Sequence, residues 1–121
     1  MESCQDKIQS ASKLLHELLY KSILDSNLDL IDCTLKLTFR NGAVLYITYN
    51  DHSEYSYQIM YTKNKLDRER FDNYDKNWDV ETTPNHFHLR GSTLVANSEM
   101  TGELDNDMPK LIEFVQAKLY L

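Results

Sequence analysis

The chain has 121 residues, 41% of them hydrophobic and 26% charged, which suits a single globular domain spanning residues 1–121 and lies far from the disordered range. Thirteen Lys and Arg against nineteen Asp and Glu leave a formal charge of −6, which argues against a protein that coats nucleic acid through bulk charge but allows a local basic site. No apolar run approaches the ~20 residues of a membrane helix, and MESCQDKIQS lacks the apolar stretch of a signal peptide, so the reading is a cytoplasmic protein with no membrane contact. The two cysteines, Cys4 and Cys33, form no C-x-x-C pair, and the reading excludes both a zinc ribbon and a disulfide framework.

Residues 5–25 read as a helix, because Ile8, Ala11, Leu15, Leu18 and Leu19 recur at three- and four-residue steps, widened by Leu14 and Ile23. Near residue 30 the period changes to two. Cys33, Leu35, Leu37 and Phe39 alternate with Thr34, Lys36, Thr38 and Arg40, the pattern of a strand with one buried face. Asn41-Gly42 is a hairpin signal whose two positions favour positive φ. The segment 43–49 returns as a nearly continuous apolar strand. A third strand, 55–61, carries Tyr55, Tyr57, Ile59 and Tyr61 on one face. A charged fourth, 66–71, puts Leu66, Arg68 and Arg70, with Asp72 next in step, on one face and Asp67, Glu69 and Phe71 on the other. The polar segment 73–85 is long for a loop, and such loops are often functional. A fifth strand covers His86–Leu89, with Thr93–Ala96 as its continuation or as a sixth. Asp107 caps a last helix with Pro109 in its first turn and Leu111, Ile112, Val115 and Leu119 as its stripe. The fold class is α+β: an antiparallel sheet of about five strands with an N-terminal and a C-terminal helix packed on it.

His86 and His88 lie two apart on a strand, so both imidazoles point to one face, roughly 6.5–7 Å apart at the backbone. Histidine gives and takes protons near neutral pH, and two imidazoles flanking a phosphodiester are a base and an acid. Two surface histidines on a strand edge would look the same. Arg68, Arg70 and Asp72 share a face by the same period. Arginine's planar fork suits phosphate, and a carboxylate beside a histidine fixes its tautomer. The ordinary alternative is a solvated face of ion pairs. Tyr55 and Tyr57 either stack bases and donate hydroxyls or form half of a core. Trp78 either pins the polar loop or offers a stacking surface. Cys33 reads as buried and inert; Cys4 has no convergent partner. His86, His88 and Asp72 make a two-histidine, one-carboxylate set if they converge, but no H-E-x-x-H or cysteine ligand supports it, and the reading is metal-free with no cofactor.

In order and spacing these motifs resemble the TumE-type family of toxins from prokaryotic toxin–antitoxin modules. The resemblance rests on the leucine-rich first helix, Asn41-Gly42, Tyr55-Ser56-Tyr57-Gln58, Arg70-Phe71-Asp72-Asn73, Pro84-Asn85-His86-Phe87-His88 and the amphipathic last helix, and it covers roughly residues 10–119. Asn85 stands where the family typically has the first histidine of Pro-His-His-x-His. The resemblance implies a small toxin, thought to be a ribonuclease, held by a cognate antitoxin with a DNA-binding domain. The function expected is a metal-independent endoribonuclease acting on RNA. Catalytic roles fall to His86, His88, Arg70, Asp72 and Tyr57, and substrate contacts to Arg68, Tyr55 and Trp78. A homodimer is compatible with this reading. The rival is a non-catalytic protein-interaction module of the same fold.

Overall fold

The computed structural model describes residues 2–121. Helix α1, Cys4–Leu19, opens where the Ser3 side chain accepts the Asp6 amide at 3.1 Å, and it turns Ile8, Ala11, Leu15 and Leu19 into the core. It stops at Leu19 rather than near residue 25. A 3-10 turn, Tyr20–Ser22, leads instead into an edge strand, β1, Ile23–Asp29, which the period-based reading did not separate from the helix. Almost every β1 side chain faces solvent, so no alternation marks it; pairing with the next strand makes it a strand.

The rest of the sheet is β2 (Thr34–Phe39), β3 (Val44–Tyr49), β4 (Tyr55–Met60), β5 (Arg68–Asp72), β6 (His86–His88) and β7 (Val95–Asn97). Among the described residues all seven strands pair antiparallel in chain order, a plain meander. The expected α+β architecture holds, with seven strands in place of five. The segment 86–96 resolves into two of them, because Leu89–Leu94 turns back on itself, with the Leu89 amide donating a hydrogen bond to the Leu94 carbonyl. At the β2–β3 turn only Gly42 takes a positive φ, +92°.

Helix α2, Leu104–Leu119, begins three residues before Asp107. Asp107 is fully buried. It accepts the Thr101 and Gly102 amides at 2.9 and 2.7 Å and the Tyr57 hydroxyl at 2.6 Å, tying the helix start to β4. Gly102 is required there, since its φ is +87° and a Cβ would lie 2.9 Å from the Tyr55 ring. Both helices lie on one face of the sheet. On that face Leu35, Leu37, Leu45, Ile47, Tyr55, Tyr57 and Ile59 meet Ile8, Leu15, Leu111 and Val115 in one core. Leu18, expected in the core, is 57% exposed, because the inward stripe passes through Leu15 and Leu19 and leaves Leu18 on the flank beside α2.

Cys4 and Cys33 form a disulfide, their Cα atoms 5.9 Å apart across 29 residues of sequence. This corrects the reading that found no disulfide and an unpaired Cys4. The pairing arises because α1 packs its first turn over the β1–β2 connection, a tertiary contact that sequence spacing does not encode.

Candidate functional site

Register fixes which side chains share the other face. Asp72 pairs His86 and Arg70 pairs His88 across β5 and β6, while the intervening Phe71 and Phe87 point to the helices and meet Phe114 of α2 with ring centroids 5.0 and 6.0 Å away. Arg70, Asp72, His86 and His88 therefore converge on the face that carries no helix.

Asp72 is the hub. Its Oδ1 lies 2.9 Å from His86 Nε2, and its Oδ2 lies 3.2 Å from His88 Nε2 and 2.6 Å from Arg70 Nε. The Tyr74 amide donates to Oδ1 at 3.1 Å. The two Nε2 atoms are 3.1 Å apart, and Arg70 Nη2 lies 3.1 Å from that of His88. His86 Nδ1 faces the Pro84 carbonyl at 2.9 Å. That oxygen only accepts, so Nδ1 carries the hydrogen and Nε2 is the lone-pair atom of the neutral ring. Burial by itself raises the Asp72 carboxyl, but the His88 hydrogen bond and the charges of Arg70, His86 and His88 outweigh it and hold the carboxyl below the usual range. Asp72 is thus an anion in nearly dry surroundings, with His86 1% and His88 7% exposed.

The loop after β5 closes the site. Trp78 lies over both imidazoles, its ring centroid 5.6 Å from each, so it roofs the histidines. Asn73 holds the base of this loop. Its side chain accepts the Tyr55 amide at 3.0 Å and donates to the Ser53 carbonyl at 2.9 Å.

Three expected site residues are placed elsewhere. Tyr57 lies on the helix face, 1% exposed, with its hydroxyl between Tyr49 (3.0 Å) and Asp107 (2.6 Å); burial raises its pKa, so it stays protonated. Tyr55 is also on that face and donates its hydroxyl to Asn85 Oδ1 at 2.9 Å. Asn85, the position of the resemblance's first histidine, therefore faces away from the cluster. Arg68 spends its guanidinium on the Leu89 and Ser92 carbonyls at 2.8 and 3.0 Å, pinning the β6–β7 turn. The sequence reading missed the Pro84 carbonyl and the Tyr74 amide, which are main-chain groups and leave no residue-type signal.

A family model described as Toxin TumE matches residues 11–119, nearly the whole chain. The chain belongs to the TumE toxin family. No curated protein and no solved structure gives a significant match. Within the TumE match fall both strands that carry the cluster and the loop that roofs it.

Proposed function

We propose that this TumE-family chain is a toxin that cleaves RNA, with Arg70, Asp72, His86 and His88 as its reaction centre, and that a cognate antitoxin with a DNA-binding domain restrains it. The observation that carries this reading is the convergence of those four side chains on the helix-free face, within hydrogen-bonding distance of one another. RNA is favoured because its 2′-hydroxyl is an internal nucleophile that DNA lacks.

The geometry argues for histidines working in series. Two hydrogen bonds of ~2.8 Å with a phosphate between them would set the nitrogens about 5 Å or more apart, whereas the Nε2 atoms are 3.1 Å apart. Arg70, with a side chain 37% exposed, is the group that meets the phosphate and offsets charge developing on it. His88 stands next to Arg70, takes the proton of the 2′-hydroxyl as the 2′-oxygen bonds to phosphorus, and returns it to the 5′-oxygen as the P–O5′ bond breaks. His86, held by Asp72 and Pro84, supports the charge on His88 from behind.

The test is purified chain acting on RNA oligonucleotides and on the same strands carrying one 2′-deoxy position. The account expects a 2′,3′-cyclic phosphate product and a block at the 2′-deoxy position. A 5′-phosphate product on both substrates overturns the internal-nucleophile step. Absence of cleavage on every RNA offered, with the antitoxin still bound tightly, supports the interaction module instead.

A further inference from the structure

We propose that Asp72, His86 and His88 form a binding site for one divalent transition-metal ion of the zinc class, with a fourth coordination position left for water or a phosphate oxygen. The inference goes beyond RNA cleavage and does not depend on it.

Three donor atoms from the three residues lie within 4.8 Å of one another, and all three residues are buried. The two Nε2 atoms are 3.1 Å apart, and each faces its own carboxylate oxygen of Asp72, His86 toward Oδ1 at 2.9 Å and His88 toward Oδ2 at 3.2 Å. Tetrahedral bonds of 2.0–2.1 Å place ligand atoms about 3.3 Å apart, so the imidazole pair, and each imidazole with the carboxylate oxygen it faces, stand within about half an ångström of the spacing the ion requires. The chemistry of the cluster also asks for a cation. With its hydrogen on Nδ1, His86 aims a lone pair at a carboxylate oxygen and at a second imidazole nitrogen. Acceptors facing one another repel unless a positive charge sits between them. A proton is the rival cation.

The surroundings favour a metal. His86 has its second nitrogen on a main-chain carbonyl, the brace that metal-bound histidines use to fix ring and tautomer. Asp72 has a main-chain amide and the Arg70 guanidinium behind it. Trp78 packs beside both rings, its centroid 5.6 Å from each. Two imidazoles and one carboxylate suit zinc and its first-row neighbours, whereas Mg²⁺ and Ca²⁺ take oxygen ligands. Arg70 Nη2 lies 3.1 Å from His88 Nε2, and its partly exposed side chain is free to give up that contact while Nε stays on Asp72. Entry of the ion would thereby release a guanidinium edge toward solvent.

The experiment is calorimetric titration of the chelator-stripped full chain with ZnCl₂ and, separately, MgCl₂, together with the visible spectrum after CoCl₂ addition. One Zn²⁺ per chain is expected, no Mg²⁺ uptake, and the intense bands of four-coordinate Co²⁺. Asp72→Asn and His88→Asn should each weaken Zn²⁺ by roughly 100-fold or more, since even groups behind the ligands are worth ~10–100-fold. Arg70→Gln should bind Zn²⁺ as well as the parent or better, because it removes a competitor for His88. The Co²⁺ spectrum of the unaltered chain keeps the test valid if a variant fails to fold. Lack of stoichiometric Zn²⁺ binding, or equal binding in Asp72→Asn and His88→Asn, overturns the site and assigns the cation to a proton. Zinc bound without RNA cleavage keeps this inference and removes the function proposed above; cleavage unchanged in a chain that binds no zinc does the reverse.

Discussion

Arg70 and Arg68 are two residues apart on one strand and share its outer face, yet their surroundings give them different work. Arg70 lays Nε on Asp72 and Nη2 toward His88, a two-point grip that an ammonium does not reproduce. Arg70→Lys should lower RNA cleavage by roughly 10²-fold, the scale of losing one placed cation at a phosphoryl centre. Arg68 instead satisfies two main-chain carbonyls. Arg68→Lys should cost about 1–2 kcal/mol in denaturant unfolding, read as a lower midpoint, with little change in rate. Equal rate losses in the two variants would show that both arginines meet substrate. At this scale the two same-face pairs, Arg70 with Asp72 and His86 with His88, were legible in the sequence through period two, whereas the register of β5 on β6, which brings the pairs together, was not. Tyr57 was misread for the complementary reason. Its period placed it correctly on a face, but sequence does not say which face carries the helices, and Asp107, fifty residues away, decides where its hydroxyl goes.

Elements were legible wherever one side is dry. The strands β2, β3 and β4 alternate buried positions with half-buried or exposed ones along their length and were found with ends near those observed. β1 was hidden because an exposed edge strand has no dry side to write a pattern. The disulfide was hidden because it reports how α1 lies on the β1–β2 connection. Closing a loop of 29 residues removes chain entropy from the unfolded state worth about 3–4 kcal/mol. Urea unfolding with and without a thiol reductant checks this, and the reduced chain should unfold at a clearly lower midpoint. Coincident curves would show that the link adds no constraint.

For the molecule as a whole, one asymmetry organises the sheet: helices, apolar side chains and buried tyrosines on one face, the charged cluster under a loop on the other. Tyr49, Tyr55 and Tyr57 all have pKa values raised, first of all by burial. In the unfolded chain they ionise near the ordinary value of ~10. Above that pH the folded state holds more protons than the unfolded one, so stability is intact below about pH 10 and falls as pH rises through the alkaline range. A thermal melt followed from pH 8 to 11 should lose midpoint steeply above 10, and Tyr57→Phe should soften the loss. A flat profile would mean that these hydroxyls reach solvent.

The cluster's role in cleaving RNA is tested most directly by product analysis on one RNA strand with the parent chain and with His88→Ala, both shown folded by their melting curves. A positioned proton-transfer group is worth roughly 10²–10⁴ in rate, so the account predicts a 2′,3′-cyclic phosphate from the parent and a loss of that size in the variant. Cleavage by His88→Ala at the parent's rate, with the same product, would contradict it.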